Sequence, residues 1–258
     1  MSSSPRSSRA IEVRNLTKWY RVDGHVVQAL DGVTLGADEG EFVSIVGPSG
    51  SGKTTLFNLI CGLSRPDSGQ IFIQGREMRG QRGQVAYMPQ KDVLLPWRTL
   101  LQNVLLGAEV DGQPMLQARQ EALALMPEFG LEGFEDRYPH ELSGGMRQRA
   151  ALLRTYLFHR DVLLLDEPFG ALDALTRRQM QVWLMGVWEE HRKTILFVTH
   201  DVDEAVFLSD RIYALTPRPA RVSHEMVVDL PRPRTPALLS APEFVAARAE
   251  LLEALLPA

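Results

Sequence analysis

Residues Gly47-Pro48-Ser49-Gly50-Ser51-Gly52-Lys53-Thr54 fit the spacing G-x-x-x-x-G-K-[ST], and the chemistry this spacing suits is polyphosphate binding. Glycines let the backbone wrap so that successive N–H groups point at phosphate oxygens, and a helix opening at the end of the loop adds its positive N-terminus. Lys53 then reaches the β- and γ-phosphates, the Thr54 hydroxyl holds Mg²⁺, and Thr55 completes the cradle. A second constellation lies at Val162-Leu163-Leu164-Leu165-Asp166-Glu167. An apolar strand that delivers acids at its C-terminal end is where an open α/β sheet places ligands. There Asp166 orients the magnesium through its water shell, and Glu167 aligns and activates a water attacking a phosphoryl group. A strand ending in two solvated acids is common in α/β proteins; the pairing with the phosphate loop is what gives these two a role.

The elements that must position these residues read as an α/β alternation. Ile11 to Tyr20 and His25 to Leu35 have the look of strands, the second broken at Asp31-Gly32. Glu41 to Val46 is a short apolar run bounded by glycines, as expected of a buried parallel strand. Leu56, Leu59, Ile60 and Leu63 form a helical stripe after the phosphate loop. Ile71 to Ile73 and Val85 to Met88 read as strands. The period then changes, with helical patterns at Leu100 to Ala108, Met115 to Phe129 and Met146 to His159 and no convincing strand between Lys91 and Arg154. Strands at Val162 to Leu165, Thr194 to Val198 and Arg211 to Leu215 alternate with helices at Asp173 to His191 and Val202 to Leu208. A β-like stretch (Arg221 to Leu230), a Pro-rich link and an amphipathic helix from Glu243 complete the chain. The fold class expected is α/β: a P-loop NTPase core with a parallel sheet, an antiparallel β subdomain and an inserted helical subdomain. The core covers 11–90 and 155–230, the helical insertion 91–154, and the link and last helix 231–258. Residues 1–10, rich in serine and arginine, read as a disordered tail rather than a secretory signal.

Composition excludes several classes. Of 258 residues, 45% are apolar and 23% charged, which rules out fibrous and disordered chains. A net charge of −4 argues against a bulk basic field for nucleic acid, so none is expected as a partner. The single cysteine, Cys61, cannot form an internal disulfide, and no Cys/His group has zinc spacing. The apolar runs are strand-length, short of the ~20 residues a membrane span needs.

Between the phosphate loop and the acidic strand lies Leu142-Ser143-Gly144-Gly145-Met146-Arg147-Gln148. The three motifs in this order resemble the ATPase subunits of ABC transporters, over nearly the whole chain from Ile11 to Leu230. A serine and two glycines opening a helix can receive an anion; the resemblance implies that Ser143, Gly144 and Gly145 receive the γ-phosphate of ATP held by the opposite subunit. It implies further that Tyr20 stacks on adenine, that Gln90 touches Mg²⁺ and the attacking water, and that His200 contacts the γ-phosphate. Asp173, in Ala171-Leu172-Asp173, corresponds to the loop that crosses the dimer interface, with Gly170 where serine is commoner. Glu167, His200 and Gln90 are thus the catalytic candidates, and Thr54, Gln90 and Asp166 the magnesium ligands.

The stretch from Gln90 to Val104 and YPHELSGGMRQR around the signature are similar to the importer ATPases for taurine, nitrate and sulfonate, and to those for thiamine-precursor pyrimidines. The chain ends soon after the core, leaving no room for the regulatory β-domain of sugar-importer ATPases. The resemblance implies ATP and Mg²⁺ as cofactors, a second copy of the chain in an ATP-sandwich dimer, membrane permease subunits, an extracytoplasmic solute-binding protein, and a peripheral place on the cytoplasmic face of the inner membrane. Val93 to Trp97 are the residues offered to a short permease helix. Two alternatives stay open at this point: a non-transport ABC ATPase, which usually carries paired cassettes or coiled-coil insertions, and a P-loop kinase or nucleotide-binding regulator, which would leave LSGGMRQ and His200 unexplained.

Overall fold

The computed structural model describes residues 9–256. Two sheets organise the chain. The first is antiparallel with strand order β2-β1-β4-β5, built from β1 (Arg9–Val22), β2 (His25–Asp38), β4 (Ser68–Ile73) and β5 (Arg76–Glu77). The second has the order β10-β9-β3-β8-β7-β6, from β3 (Phe42–Val46), β6 (Ala86–Met88), β7 (Val162–Asp166), β8 (Thr194–Thr199), β9 (Arg211–Leu215) and β10 (Val222–Val227). Its pairings are parallel except for the β9–β10 hairpin.

Every residue of β3, β7 and β8 is buried, as expected for parallel strands covered on both faces. Side chains alternate between two cores. Val43, Ile45, Val162, Leu164, Leu196 and Val198 pack toward the antiparallel sheet and α1 (Lys53–Ile60). Phe42, Leu163, Leu165, Ile195 and Phe197 pack toward the helices on the other face. Those helices are α2 (Leu100–Val104), α3 (Leu106–Val110), α4 (Met115–Leu125), α5 (Gly144–Tyr156), α6 (Ala174–His191), α7 (Val202–Leu208) and α8 (Pro242–Leu255).

Several expectations shift. Arg9 and Ala10 belong to β1, and Ala10 is buried, so the first strand starts inside the stretch read as a tail; residues 1–8 lie outside the described residues. The β2 strand runs through Asp31-Gly32 without a break, absorbing Gly32 at positive φ with shifts in the β1–β2 register. The α1 helix stops at Ile60, leaving Leu63 half exposed beyond it. The segment expected as one helix from Leu100 is split into α2 and α3 at Leu105, and α4 stops at Leu125, short of Phe129. No helix among the described residues is long and apolar enough to cross a membrane.

The C-terminal link is bound to the core by two arginines. The buried Arg234 guanidinium donates to the carbonyls of Val206, Phe207 and Ser209 at the end of α7, satisfying helix-terminal acceptors that otherwise lack a partner. Burial lowers its pKa to about 10. Arg232 pairs with Asp210 at 2.7 Å and lies 4.2 Å from the centre of the Trp188 ring.

Candidate active site

The C-terminal ends of β3, β8, β7 and β6 stand side by side in the parallel sheet, and each delivers one part of the site. After β3 the chain enters the loop 47–52 and then α1. Only glycine fits at Gly52: its φ is 104°, and a Cβ there would lie 2.9 Å from Leu30 Cδ2 and 3.1 Å from the Ala29 carbonyl. The helix has no side-chain cap, and its first internal bond runs from Leu56 N–H to the Gly52 carbonyl. The amides of its first turn are therefore left for a ligand, at the positive end of the helix. Ser51 is 1% exposed and its Oγ has no hydrogen-bond partner. A buried orphan hydroxyl inside the loop fits an anion held there.

Lys53, 5% exposed, donates from Nζ to the carbonyls of Gly47 at 2.7 Å and Pro48 at 3.0 Å. Burial lowers its pKa, against the opposing charges of Glu167 and Asp166. It is a desolvated cation held only by neutral acceptors and poised beside a cleft.

At the end of β7, Asp166 accepts a hydrogen bond from Tyr87 Oη at 3.2 Å. Burial pushes its carboxyl pKa up, opposed by the neighbouring Thr54 hydroxyl and the Tyr87 phenol. Glu167 follows at φ +45°, a left-handed conformation that costs a non-glycine residue about 1–3 kcal/mol. Its amide donates to Val198 O at 2.9 Å, so pairing with β8 maintains that conformation. The turn puts the Glu167 carboxylate in reach of two neighbours: Oε2 is 3.2 Å from Gln90 Nε2 and 3.2 Å from His200 Nδ1. Ser49, Gly50, Gly52, Lys53, Thr54, Thr55, Gln90, Glu167 and Arg218 line one polar cleft of ≈ 290 Å³. Helix-terminal amides, a cation, a carboxylate and Gln90 thus line one space, while His200 contacts the same carboxylate without being among the lining residues. The family model described as ABC transporter matches residues 30–170, spanning the phosphate loop, the signature and the acidic strand.

The chain belongs to the ABC transporter family.

Two relatives extend the likeness of this ABC ATPase over most of its length. The formylaminopyrimidine import ATP-binding protein of Halalkalibacterium halodurans is 49% identical over 181 residues, 70% of each chain. The nitrate import ATP-binding protein of Synechocystis is 39% identical, covering 91% of this chain and 90% of the relative. Two dimeric structures of one bacterial ABC transporter cassette superpose with TM-scores of 0.75 and 0.73 at 33% and 31% identity, each covering 85% of this chain and 99% of the other; the second is in a post-hydrolysis state bound to ADP and Pi. The fold is the ABC cassette, and the protein is an ATP-binding ABC ATPase.

Several expected residues of the ABC ATPase are not among those lining this cleft, Asp166 and His200 included. Ser143 is the N-cap of α5, its Oγ accepting from Met146 N–H at 3.2 Å. A Cβ on Gly145 would lie 3.2 Å from Thr176 Cγ2. Asp173 caps α6, accepting from the amides of Leu175 and Thr176, and the contact with Thr176 holds its pKa down. None of Ser143, Gly144, Gly145 and Asp173 is among the residues lining the cleft of their own chain. Tyr20 stands on β1 opposite Val27, with Lys18 Nζ 5.4 Å from its ring centre, and is likewise outside the phosphate cleft.

Three features of the ABC ATPase had no sequence expectation attached. Tyr87 braces Asp166, but its alternation in a short strand marks it only as a strand residue. Arg154, 7% exposed, donates to the carbonyls of Val93 at 2.8 Å and Asp92 at 2.6 Å, while Arg147 pairs with the Asp92 carboxylate at 3.2 Å. The signature helix is thereby tied to the segment after Gln90. Fully buried Asn103 holds the same segment, accepting from Leu95 N–H and donating to the carbonyls of Leu95, Arg98 and Thr99. Nothing in the sequence pattern marks these residues, since an arginine in a helical run reads as a solvated side chain until its burial is known.

Proposed function

We propose that this ABC ATPase energises a separate membrane permease for uptake of a small solute, as two copies that sandwich ATP at the cytoplasmic face of the inner membrane. The observation that carries the transport reading is the segment after Gln90. Val93, at φ +45°, and Trp97, 70% exposed, present apolar surface outward, while Leu94 between them is buried. This surface is clamped to α5 by Arg154 and connected through Gln90 to Glu167. A partner helix seated on Val93 and Trp97 therefore has a short mechanical path to the catalytic carboxylate. Relatives named for nitrate and formylaminopyrimidine import favour a solute of that kind, whether nitrate, taurine or sulfonate, or a thiamine-precursor pyrimidine. An extracytoplasmic binding protein then selects it. The exclusion of Ser143, Gly144 and Gly145 from their own cleft supports their serving the partner copy's nucleotide.

In this reading the first-turn amides of α1 and Ser51 Oγ hold the phosphates. Lys53 exchanges its two carbonyl acceptors for β- and γ-phosphate oxygens, and Tyr20 packs on the adenine. Thr54, Asp166 and Gln90 form an all-oxygen donor set suited to a hard divalent cation and would hold Mg²⁺, which supplies charge neutralisation of the phosphates. Glu167 takes the proton of the attacking water as its oxygen bonds to the γ-phosphorus. The bond from that phosphorus to the bridging oxygen breaks, leaving ADP and phosphate. His200 and Gln90, both in contact with Glu167, orient the water and the γ-phosphate, and Asp173 crosses to the partner copy.

Isolation of the tagged chain from membranes of its host tests the transport reading. Recovery of a polytopic membrane protein that is lost with a Val93→Ala/Trp97→Ala double variant supports it. A chain that recovers no membrane protein refutes it.

A further inference from the structure

We propose that Arg218 is a nucleotide-binding residue of this cleft, its guanidinium contacting the phosphate chain beside the loop 47–54. The proposal rests on that loop being the nucleotide site. Arg218 lies in the turn between β9 and β10, and its Nε and Nη2 donate to the Gly50 carbonyl at 3.2 and 2.9 Å. It lines the same cleft as Lys53, Thr54, Gln90 and Glu167.

The turn that presents it is pinned. Thr216 N–H donates to the Arg221 carbonyl, and Arg221 N–H donates to Thr216 Oγ1, both at 3.0 Å. Ala220, fully buried, exchanges backbone bonds with β2, its amide donating to Ala29 O at 3.0 Å and its carbonyl accepting from Asp31 N–H at 2.9 Å. Ala29, with its neighbour Leu30, also forms the wall against Gly52. Phosphate loop, β2 and turn are therefore one packed unit: backbone bonds fix the turn, and the Arg218 side chain adds only its two contacts to the Gly50 carbonyl.

Charge decides what Arg218 is for. Arg221, three residues on, is neutralised by Asp31. No carboxylate among the described residues lies within 4.0 Å of Arg218, which has only a neutral carbonyl as acceptor. A guanidinium offers five donors in a planar fork that suits phosphate oxygens, and the Gly50 carbonyl occupies just part of that fork. The cleft is lined by Glu167 as well as Lys53, so a second cation lowers the repulsion a polyphosphate meets on entry.

Equilibrium binding of fluorescent ADP and ATP analogues to the full chain tests the proposal, with thermal denaturation alongside to verify folding of the exposed-site variants. Arg218→Ala is expected to weaken both nucleotides by roughly tenfold to a hundredfold, the range for losing a charged hydrogen bond. Arg218→Lys, which keeps the charge, recovers part of that loss. Arg218→Gln keeps a donor for the Gly50 carbonyl without the charge and stays as weak as Arg218→Ala. If Arg218→Ala binds within twofold of wild type, or Arg218→Gln binds as wild type does, Arg218 is only a brace for the loop and the proposal is overturned. A wild-type chain that binds neither nucleotide, or a Lys53→Ala chain that binds both unchanged, overturns the site assignment itself and the role of Arg218 with it.

Discussion

If Glu167 is the general base proposed above, Glu167→Gln should separate chemistry from binding in one substitution. The carboxylate Oε2 receives Gln90 Nε2 and faces His200 Nδ1, each at 3.2 Å. A glutamine oxygen has two lone pairs and can keep both contacts. The left-handed backbone at φ +45° is equally strained for either residue, since both carry the same Cβ. Fold stability should therefore move by less than about 1 kcal/mol. What the amide cannot do is accept the proton of the attacking water. Loss of a general base costs roughly 10²- to 10⁴-fold in rate, about 2.7–5.5 kcal/mol of barrier. Nucleotide binding should survive, because the proposed phosphate contacts, the loop amides and Lys53, are left in place. Removal of a negative charge from the cleft should tighten it further. Single-turnover phosphate release measures the rate, and size-exclusion chromatography with ATP and Mg²⁺ measures whether uncleaved ATP traps a dimer. Hydrolysis at the wild-type rate would refute Glu167 as the base. An inactive variant that stays monomeric would leave the base standing and remove the sandwich.

Other outcomes are equally specific. Lys53→Ala should lose nucleotide binding, by more than about a hundredfold in calorimetric titration, yet shift the thermal midpoint by only a few degrees, because relief of a desolvated ammonium offsets the loss of its bonds to the Gly47 and Pro48 carbonyls, which water from the adjoining cleft can replace. Asp166→Asn should abolish Mg²⁺-dependent hydrolysis while raising the midpoint in metal-free buffer. Burial raises the folded pKa of Asp166, so its charge costs stability in full above that pKa and nothing below the unfolded value; the gain should be largest near neutral pH and fade as pH falls through the folded pKa. Arg154→Ala should destabilise by about 3 kcal/mol, roughly 6–12 °C in scanning calorimetry, since it unpairs the Asp92 and Val93 carbonyls and empties a buried site. An unchanged midpoint would show that the signature helix and the segment after Gln90 are not held together through this residue.

Local rules made much of this protein legible before any folding. The glycines of the phosphate loop, the apolar strand ending in Asp166-Glu167 and the Ser143-Gly144-Gly145 opening of α5 are each read within a few residues, because backbone conformation and helix initiation are decided at that range, whereas the N-cap role of Asp173 on α6 came only with the structure. The alternation of strands and helices likewise implied a parallel sheet covered on both faces. Periodicity carries no information about strand order, however, and the order β10-β9-β3-β8-β7-β6 is what sets the ends of β3, β8, β7 and β6 in one row. Only that row brings Gln90 and His200 onto Glu167, across 77 and 33 residues of chain. The same holds for the pairing of Arg154 with the carbonyls of Asp92 and Val93 and for the placement of Arg218 on Gly50, 168 residues away. A lone arginine in a turn or a helix looks like any solvated side chain until the sheet brings its partner to it, since side-chain hydrogen bonds act over about 3 Å in space whatever the separation in sequence.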